Sequence, residues 1–136
     1  MEKITTVSLR EQPVSPKKAR LVINLVRGKG AEDALSLLRF TNKKSAKLVE
    51  KLLKSGLDAC KQKDYKAQDL YLCEAVCQEG RRLKRFMVSA RGRSRGFTKR
   101  HSHIKISLCK VSDPKELEEK KEIVEKKIKA KNGTKS

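Results

Sequence analysis

From residue 16 to about residue 61 the apolar positions recur every three or four residues, and beyond Asp64 they recur every second one. That change of period predicts helices first and strands afterwards. Ala19, Val22, Ile23 and Val26 define a first helix over 16–27. Ser15 suits its N-cap, Pro16 occupies a first-turn position whose N–H would have no intrahelical partner, and Gly28 stands where a C-cap glycine belongs. Ala31, Ala34, Leu35 and Leu38 place a second helix over about 31–39. A third begins after Thr41 or Asn42 and runs to about Lys61. Its apolar stripe is Ala46, Val49, Leu53, Leu57 and Cys60, with Leu52 beside it. The opposite face carries Lys43, Lys44, Lys47, Lys51 and Lys54.

The β-branched run at 4–10 reads as a short N-terminal strand. Leu70, Leu72, Glu74 and Val76 alternate with Tyr71, Cys73, Ala75 and Cys77, a strand with both faces partly covered. At 103–111, Ile104, Ile106 and Leu108 alternate with Lys105 and Ser107. The last two strands should pair antiparallel, and the ladder should continue outward through the roughly 25 residues between them as a two-stranded ribbon. The turn is expected near Ala90–Arg93, where Gly92 permits a positive φ. A dozen residues per arm at ~3.3 Å each would give a reach on the order of 40 Å. Leu83, Phe86, Met87, Val88 and Phe97 are too few to bury it, so the ribbon is expected to be mobile alone and ordered against a polyanion.

Charge sharpens this picture. The chain of 136 residues holds 35 Lys and Arg against 16 Asp and Glu, a formal net charge of +19. From Gly80 to Arg100 there are nine cations and no acid, and seven of the nine are Arg. Aromatics are only 4% and Trp is absent, so the core must be small and aliphatic. Self-repulsion at this charge asks for a polyanion, nucleic acid first and an acidic membrane surface second. The longest early aliphatic run, Leu21–Val22–Ile23, is far short of the roughly 20 residues of a membrane span. The N-terminus has the look of neither a secretory signal nor a transit peptide. Cys60, Cys73, Cys77 and Cys109 lack zinc spacing. Reduced thiols in a cytosolic compartment fit them best, and nothing in the spacing supports a disulfide.

The candidate binding residues follow from arginine chemistry, since the planar fork matches phosphate oxygens bidentately. In the ribbon they are Arg81, Arg82, Lys84, Arg85, Arg91, Arg93, Arg95, Lys99 and Arg100, followed by His101 and His103. Few aromatics means little base stacking, so phosphates and shape of folded RNA are the expected target. A second patch comprises Lys17, Lys18, Arg20 and Arg27 on the first helix, with Lys43 and Lys44 at the start of the third. Lys17 and Lys18 sit in a first turn, where the helix dipole disfavours cations, a misfit of the kind tolerated for binding. A catalytic dyad of His101 or His103 with Cys73 or Cys109 would need an orienting partner and a pocket, and is the weak reading. The glycines match neither a P-loop nor a dinucleotide fingerprint. No metal site, cofactor or internal repeat is expected. After Asp113-Pro114 a mixed-charge pattern with Leu117, Val124 and Ile128 predicts a solvated helix ending at Asn132-Gly133. The Asn132-Gly133-Thr134 glycosylation pattern is noise.

Ser15-Pro16-Lys17-Lys18-Ala19-Arg20-Leu21-Val22 closing with Val26-Arg27-Gly28, then Ala34-Leu35, Leu38 and Phe40-Thr41-Asn42-Lys43-Lys44, resemble the family of ribosomal protein twenty-two of the large subunit. So do Glu79-Gly80, Lys84-Arg85, Ala90-Arg91-Gly92-Arg93, Lys99-Arg100 and Ser102-His103-Ile104. The resemblance covers roughly 4–111. It implies an α+β domain (expected over 1–112), three helices on a three-stranded antiparallel sheet with a long projecting hairpin at 79–103, and a charged helical extension at 113–136. It further implies a structural, non-enzymatic role: binding large-subunit rRNA, aiding its assembly, and lining the peptide exit tunnel with the tip Val88-Ser89-Ala90-Arg91-Gly92-Arg93. Neighbouring ribosomal proteins, nascent peptide and macrolides are the implied partners, with neither membrane nor homo-oligomer. The implied location is the cytoplasmic large ribosomal subunit of a bacterium, or else a bacterial-type organelle. The family usually has Pro-Arg where Val88-Ser89 stands. The competing reading is a free-standing nucleic-acid-binding protein, such as a nucleoid or RNA-chaperone factor.

Overall fold

The computed structural model describes residues 3–110. Strand β1 (Lys3–Gln12) is followed by helices α1 (Pro16–Val26), α2 (Ala31–Phe40) and α3 (Lys44–Lys61), then strands β2 (Leu70–Val88) and β3 (Ser94–Lys110). The sheet is antiparallel throughout, in the order β1-β3-β2. All three helices lie on it, giving the α+β fold expected. The helical extension expected at 113–136 lies outside the described residues.

The apolar stripes meet as their spacing demands. Ala19, Val22, Ile23 and Val26 of α1 join Ala46, Val49, Leu53, Leu57 and Cys60 of α3 over Ile104, Ile106 and Leu108 of β3, all buried. Gly56 lets α3 approach the sheet closely. A Cβ there would lie 3.1 Å from Val7 Cγ2 and 3.2 Å from Leu108 Cδ1.

Two irregularities in β2 decide which side chains face the helices. Leu72 pairs with Leu108 and Glu74 with Ser107, so Cys73 is an extra residue in the ladder. This bulge switches the inward set from Leu70 and Leu72 to Ala75 and Cys77, which explains why the simple alternation of this strand showed no single buried face. It also brings Cys73 beside Cys109, and the two sulfurs are bonded across β2 and β3 with their Cα atoms 5.8 Å apart. The expectation of four reduced thiols is corrected here for two of them. Their separation of 36 residues gave no local signal, and only the strand register juxtaposes them. Cys60 and Cys77 are free and buried.

At the second irregularity, Glu79 pairs with Ser102 and Arg82 with Arg100, so Gly80 and Arg81 together oppose His101. A side chain at Gly80 would meet the His101 carbonyl carbon at 3.1 Å and its oxygen at 3.2 Å. β1 ends its pairing here too, at Gln12 opposite Ser102. Beyond this line the three-stranded sheet becomes a two-stranded hairpin, paired without interruption from Arg82–Arg100 to Val88–Ser94. At ~3.3 Å per residue it stands roughly 30–35 Å clear of the body.

Candidate nucleic-acid interface

The hairpin is two-sided. Period-two alternation puts Arg82, Lys84 and Arg100 on the face continuous with the helix side of the sheet, and Arg85, Arg95 and Lys99 on the other. Every residue from Lys84 to Arg100 is exposed. Each face also carries apolar surface: Phe86 and Val88 on the first, Met87 and Phe97 on the second, all without a core to enter. The Phe86 ring lies over Gly96 on the opposite strand. Arg82 directly opposes Arg100, a like-charge pair whose repulsion is offset in part by the Glu79 carboxylate.

The turn closes where the sequence placed it. The Ser89 N–H donates to the Arg93 carbonyl at 2.7 Å, and Ala90–Gly92 form a single 3-10 turn. Gly92 has φ 65°, as anticipated, and Arg91 is also left-handed at φ 56°, ψ 42°. A left-handed arginine is unusual, and Arg91 stands exposed in the turn at the extreme tip.

Not every candidate cation is free for a ligand. Arg27 donates from Nε and Nη2 to the Ala75 carbonyl at 3.2 and 2.7 Å, and Arg20 Nε donates to the Cys77 carbonyl at 3.3 Å. These two carbonyls project from the outer edge of β2, so Arg20 of α1 and Arg27 at its C-cap cover a sheet edge that would otherwise be an open template for pairing. Arg82 is ion-paired with Glu79 at the foot of the hairpin. The hydrogen bond and charge of Arg82 hold the Glu79 carboxyl below its ordinary value. His103 Nδ1 accepts from the Glu11 N–H at 3.1 Å, and its Nε2 lies 3.6 Å from the Glu11 carboxylate. His101 Nδ1 sits 3.3 Å from the Arg81 carbonyl. Both histidines thus brace the bulge at the hairpin root, a role that residue type and spacing did not reveal. Lys17, Lys18, Lys43 and Lys44 are exposed.

The thiol–imidazole dyad is not assembled. Cys109 lies six residues along β3 from His103, roughly 20 Å away at strand rise, and is bonded to Cys73. Burial pushes the Cys77 thiol up, away from reactive thiolate character. Among the described residues no group of three or more His, Cys, Asp or Glu side chains could hold a metal. No helix among them is long and apolar enough to cross a membrane.

The sequence that builds this sheet, its helices and its hairpin matches known proteins. The family model described as ribosomal protein L22p/L17e matches residues 7–109, from the middle of β1 to the penultimate residue of β3. The chain belongs to this family. A relative from Staphylococcus aureus, named large ribosomal subunit protein uL22, is 44% identical over 104 residues, covering 76% of this chain and 86% of its own length. Relatives of the same name from Lactobacillus delbrueckii subsp. bulgaricus and Lactobacillus gasseri are each 40% identical over 101 residues, covering 74% of this chain and 86% of theirs. As a member of the L22p/L17e family the chain is a ribosomal protein, and its hairpin is read below in that setting.

Proposed function

We propose that the chain is a structural constituent of the large ribosomal subunit, binds large-subunit rRNA, aids its assembly, and lines the peptide exit tunnel with its hairpin tip. The observation that carries this reading is the acid-free hairpin, cationic on both faces and held clear of the body. A ribbon that met RNA on one side only would need cations on one face. Cations on both faces suit a strand pair around which RNA helices close, neutralising phosphates that otherwise repel. Arg81, Arg82, Lys84, Arg85, Arg91, Arg93, Arg95, Lys99 and Arg100 are the phosphate-binding set, with Lys17, Lys18, Lys43 and Lys44 as a second patch on the body. Arg20 and Arg27 contribute by shaping the scaffold as well as by charge, and His101 and His103 by hydrogen bonds at the hairpin root and to the RNA. Val88-Ser89-Ala90-Arg91-Gly92-Arg93 is the tunnel-facing tip, open to nascent peptide and macrolides, and neighbouring ribosomal proteins meet the body. Catalysis has no part in this role.

Two measurements test it together. In a lysate the chain should sediment with the large subunit and stay there through a high-salt wash. The purified chain should prefer one folded rRNA fragment over bulk duplex DNA at about 0.2 M salt, where nonspecific phosphate binding is weakened. Equal affinity for both, with no cosedimentation, favours a free-standing nucleic-acid-binding protein instead.

A further inference from the structure

A phenylalanine left in water needs a reason, since burying one removes about 150–250 Å² from solvent. Phe86 is 76% exposed on the projecting part of the hairpin, with no core to enter. Directly across the ladder stands Gly96, and ring atoms Cε1 and Cδ1 of Phe86 lie 3.7 and 3.9 Å from the place a Gly96 Cβ would occupy. A ring laid over a strand glycine shields the backbone there, and that duty uses only a small part of the ring. It does not explain the glycine. Gly96 has no positive φ, a Cβ would meet nothing closer than that ordinary contact, and glycine weakens a strand. What glycine leaves is bare backbone beside an exposed ring, a wall and a floor that a flat ligand can approach closely.

The flanking side chains narrow the choice of ligand. On the same face Arg82, Lys84 and Arg100 lie toward the body and Val88 toward the tip. Nine cations without an acid between Gly80 and Arg100 repel a second copy of this ribbon, and an apolar protein partner would bury those charges unpaired. An unpaired nucleotide brings a planar apolar face and an anion in one unit. We propose that Phe86 and Gly96 form a seat for one unpaired rRNA base, stacked on the Phe86 ring with its edge over the Gly96 backbone, while Lys84 takes the adjoining phosphate. The seat rests on the rRNA-binding reading and adds a contact to a base, where the cations alone would read only phosphates. A single seat agrees with a chain in which aromatics are 4% of the residues.

The chain contains no Trp, so Phe86→Trp in the full chain installs a sole fluorophore in the seat. Its emission should fall when a large-subunit rRNA transcript binds and hold when heparin binds, because heparin supplies anions without bases. Phe86→Leu keeps apolar cover over Gly96 but offers no ring, and affinity for the transcript should drop at least about fivefold; Phe86→Tyr should bind as the wild type does. The log–log salt slope should be the same for all three variants, because no charge is removed. Gly96→Ala fits beside the ring, so the melting temperature should hold, while the added methyl lifts the base and weakens binding several-fold. If the wild-type chain selects rRNA but Phe86→Leu binds as tightly as Phe86→Tyr, or the Trp stays as bright on rRNA as on heparin, the seat is refuted and the rRNA reading stands. If the wild-type chain does not select rRNA over duplex DNA, both fall.

Discussion

The two-sidedness of the hairpin yields a quantitative prediction. Replace Arg82, Lys84 and Arg100 by Gln in one variant, and Arg85, Arg95 and Lys99 in another; each set of three shares one face of the ribbon. All six side chains are exposed and outside the core, so stability should stay within about 0.5 kcal/mol. If RNA closes around the ribbon, either variant forfeits three phosphate contacts. At about 0.7–0.9 per contact, the log–log salt slope should shrink by about 2–2.7 in each. Over a fourfold rise from about 50 to 200 mM salt, the wild type should then lose roughly 15–40-fold more affinity than either variant. The first set should fall at the low end, because Arg82 already spends part of its charge on Glu79. Filter binding of the full chain to a large-subunit rRNA transcript across that salt range measures both slopes. A large change for one face and none for the other would show RNA lying against a single side, and the enclosed-ribbon argument would be wrong.

Further outcomes concern the body and the hairpin root. Val49→Asp or Leu53→Asp places a charge on fully buried α3 positions and should abolish native circular dichroism at 25 °C, since the burial cost rivals the whole stability of a small domain. Gly80→Val should displace the bulge from the His101 backbone and weaken rRNA binding more than it lowers the melting temperature; the reverse order would show that the bulge serves only the body. The Cys73–Cys109 link closes a 36-residue span, so reduction should cost up to about 3–4 kcal/mol in denaturant unfolding, and Cys73→Ser should remove the sensitivity to reductant. Glu74 is held below its ordinary value of 4.5 by its hydrogen bond to Lys3, aided by the charges of Lys105 and Lys3, and Glu50 likewise by Lys54. A depressed carboxylate stabilises above its ordinary value and loses that contribution as pH falls through the lowered one. Melting temperature should therefore be flat from about pH 7 to 5 and decline below about 4.5; a decline beginning above pH 6 would contradict this.

The helices were legible because each has one apolar stripe at the right period: Ala46, Val49, Leu53, Leu57 and Cys60 are all buried. The hairpin was legible because an acid-free stretch lies between two alternating segments, and its turn falls at Ala90–Arg93 where the strand lengths balance. The bulges were not. Whether Cys73 or Gly80 is an extra residue depends on what stands across the ladder, and pairing partners 20 to 36 residues away leave no local periodicity. For the same reason the duties of Arg20 and Arg27 at the β2 edge, and of His101 and His103 at the hairpin root, were hidden behind their charge. Ser15 was read as a side-chain cap from its type, whereas only its carbonyl serves the helix, accepting from Lys18 and Ala19 at 3.0 and 3.1 Å.

The placement of acids explains how so basic a chain folds without its partner. Glu50 meets Lys54 and Arg39, Glu74 meets Lys3, Asp58 meets Lys61, and Glu11 meets His103, all on the body. Glu79, paired with Arg82, is the last acid before the hairpin leaves the sheet. Each pair has at least one solvent-exposed partner and individually contributes little. Together they lower the self-repulsion of the part that must hold a core, while leaving the ribbon's positive potential uncompensated and unattracted by its own body. Adding acids to the ribbon would therefore act twice, by removing phosphate contacts and by giving the arginines an internal partner. Moving Glu79 two positions outward, with Glu79→Gln and Arg81→Glu, should weaken rRNA binding by more than the single Arg81→Gln change. Equal losses would show that the fold makes no use of where its acids stop.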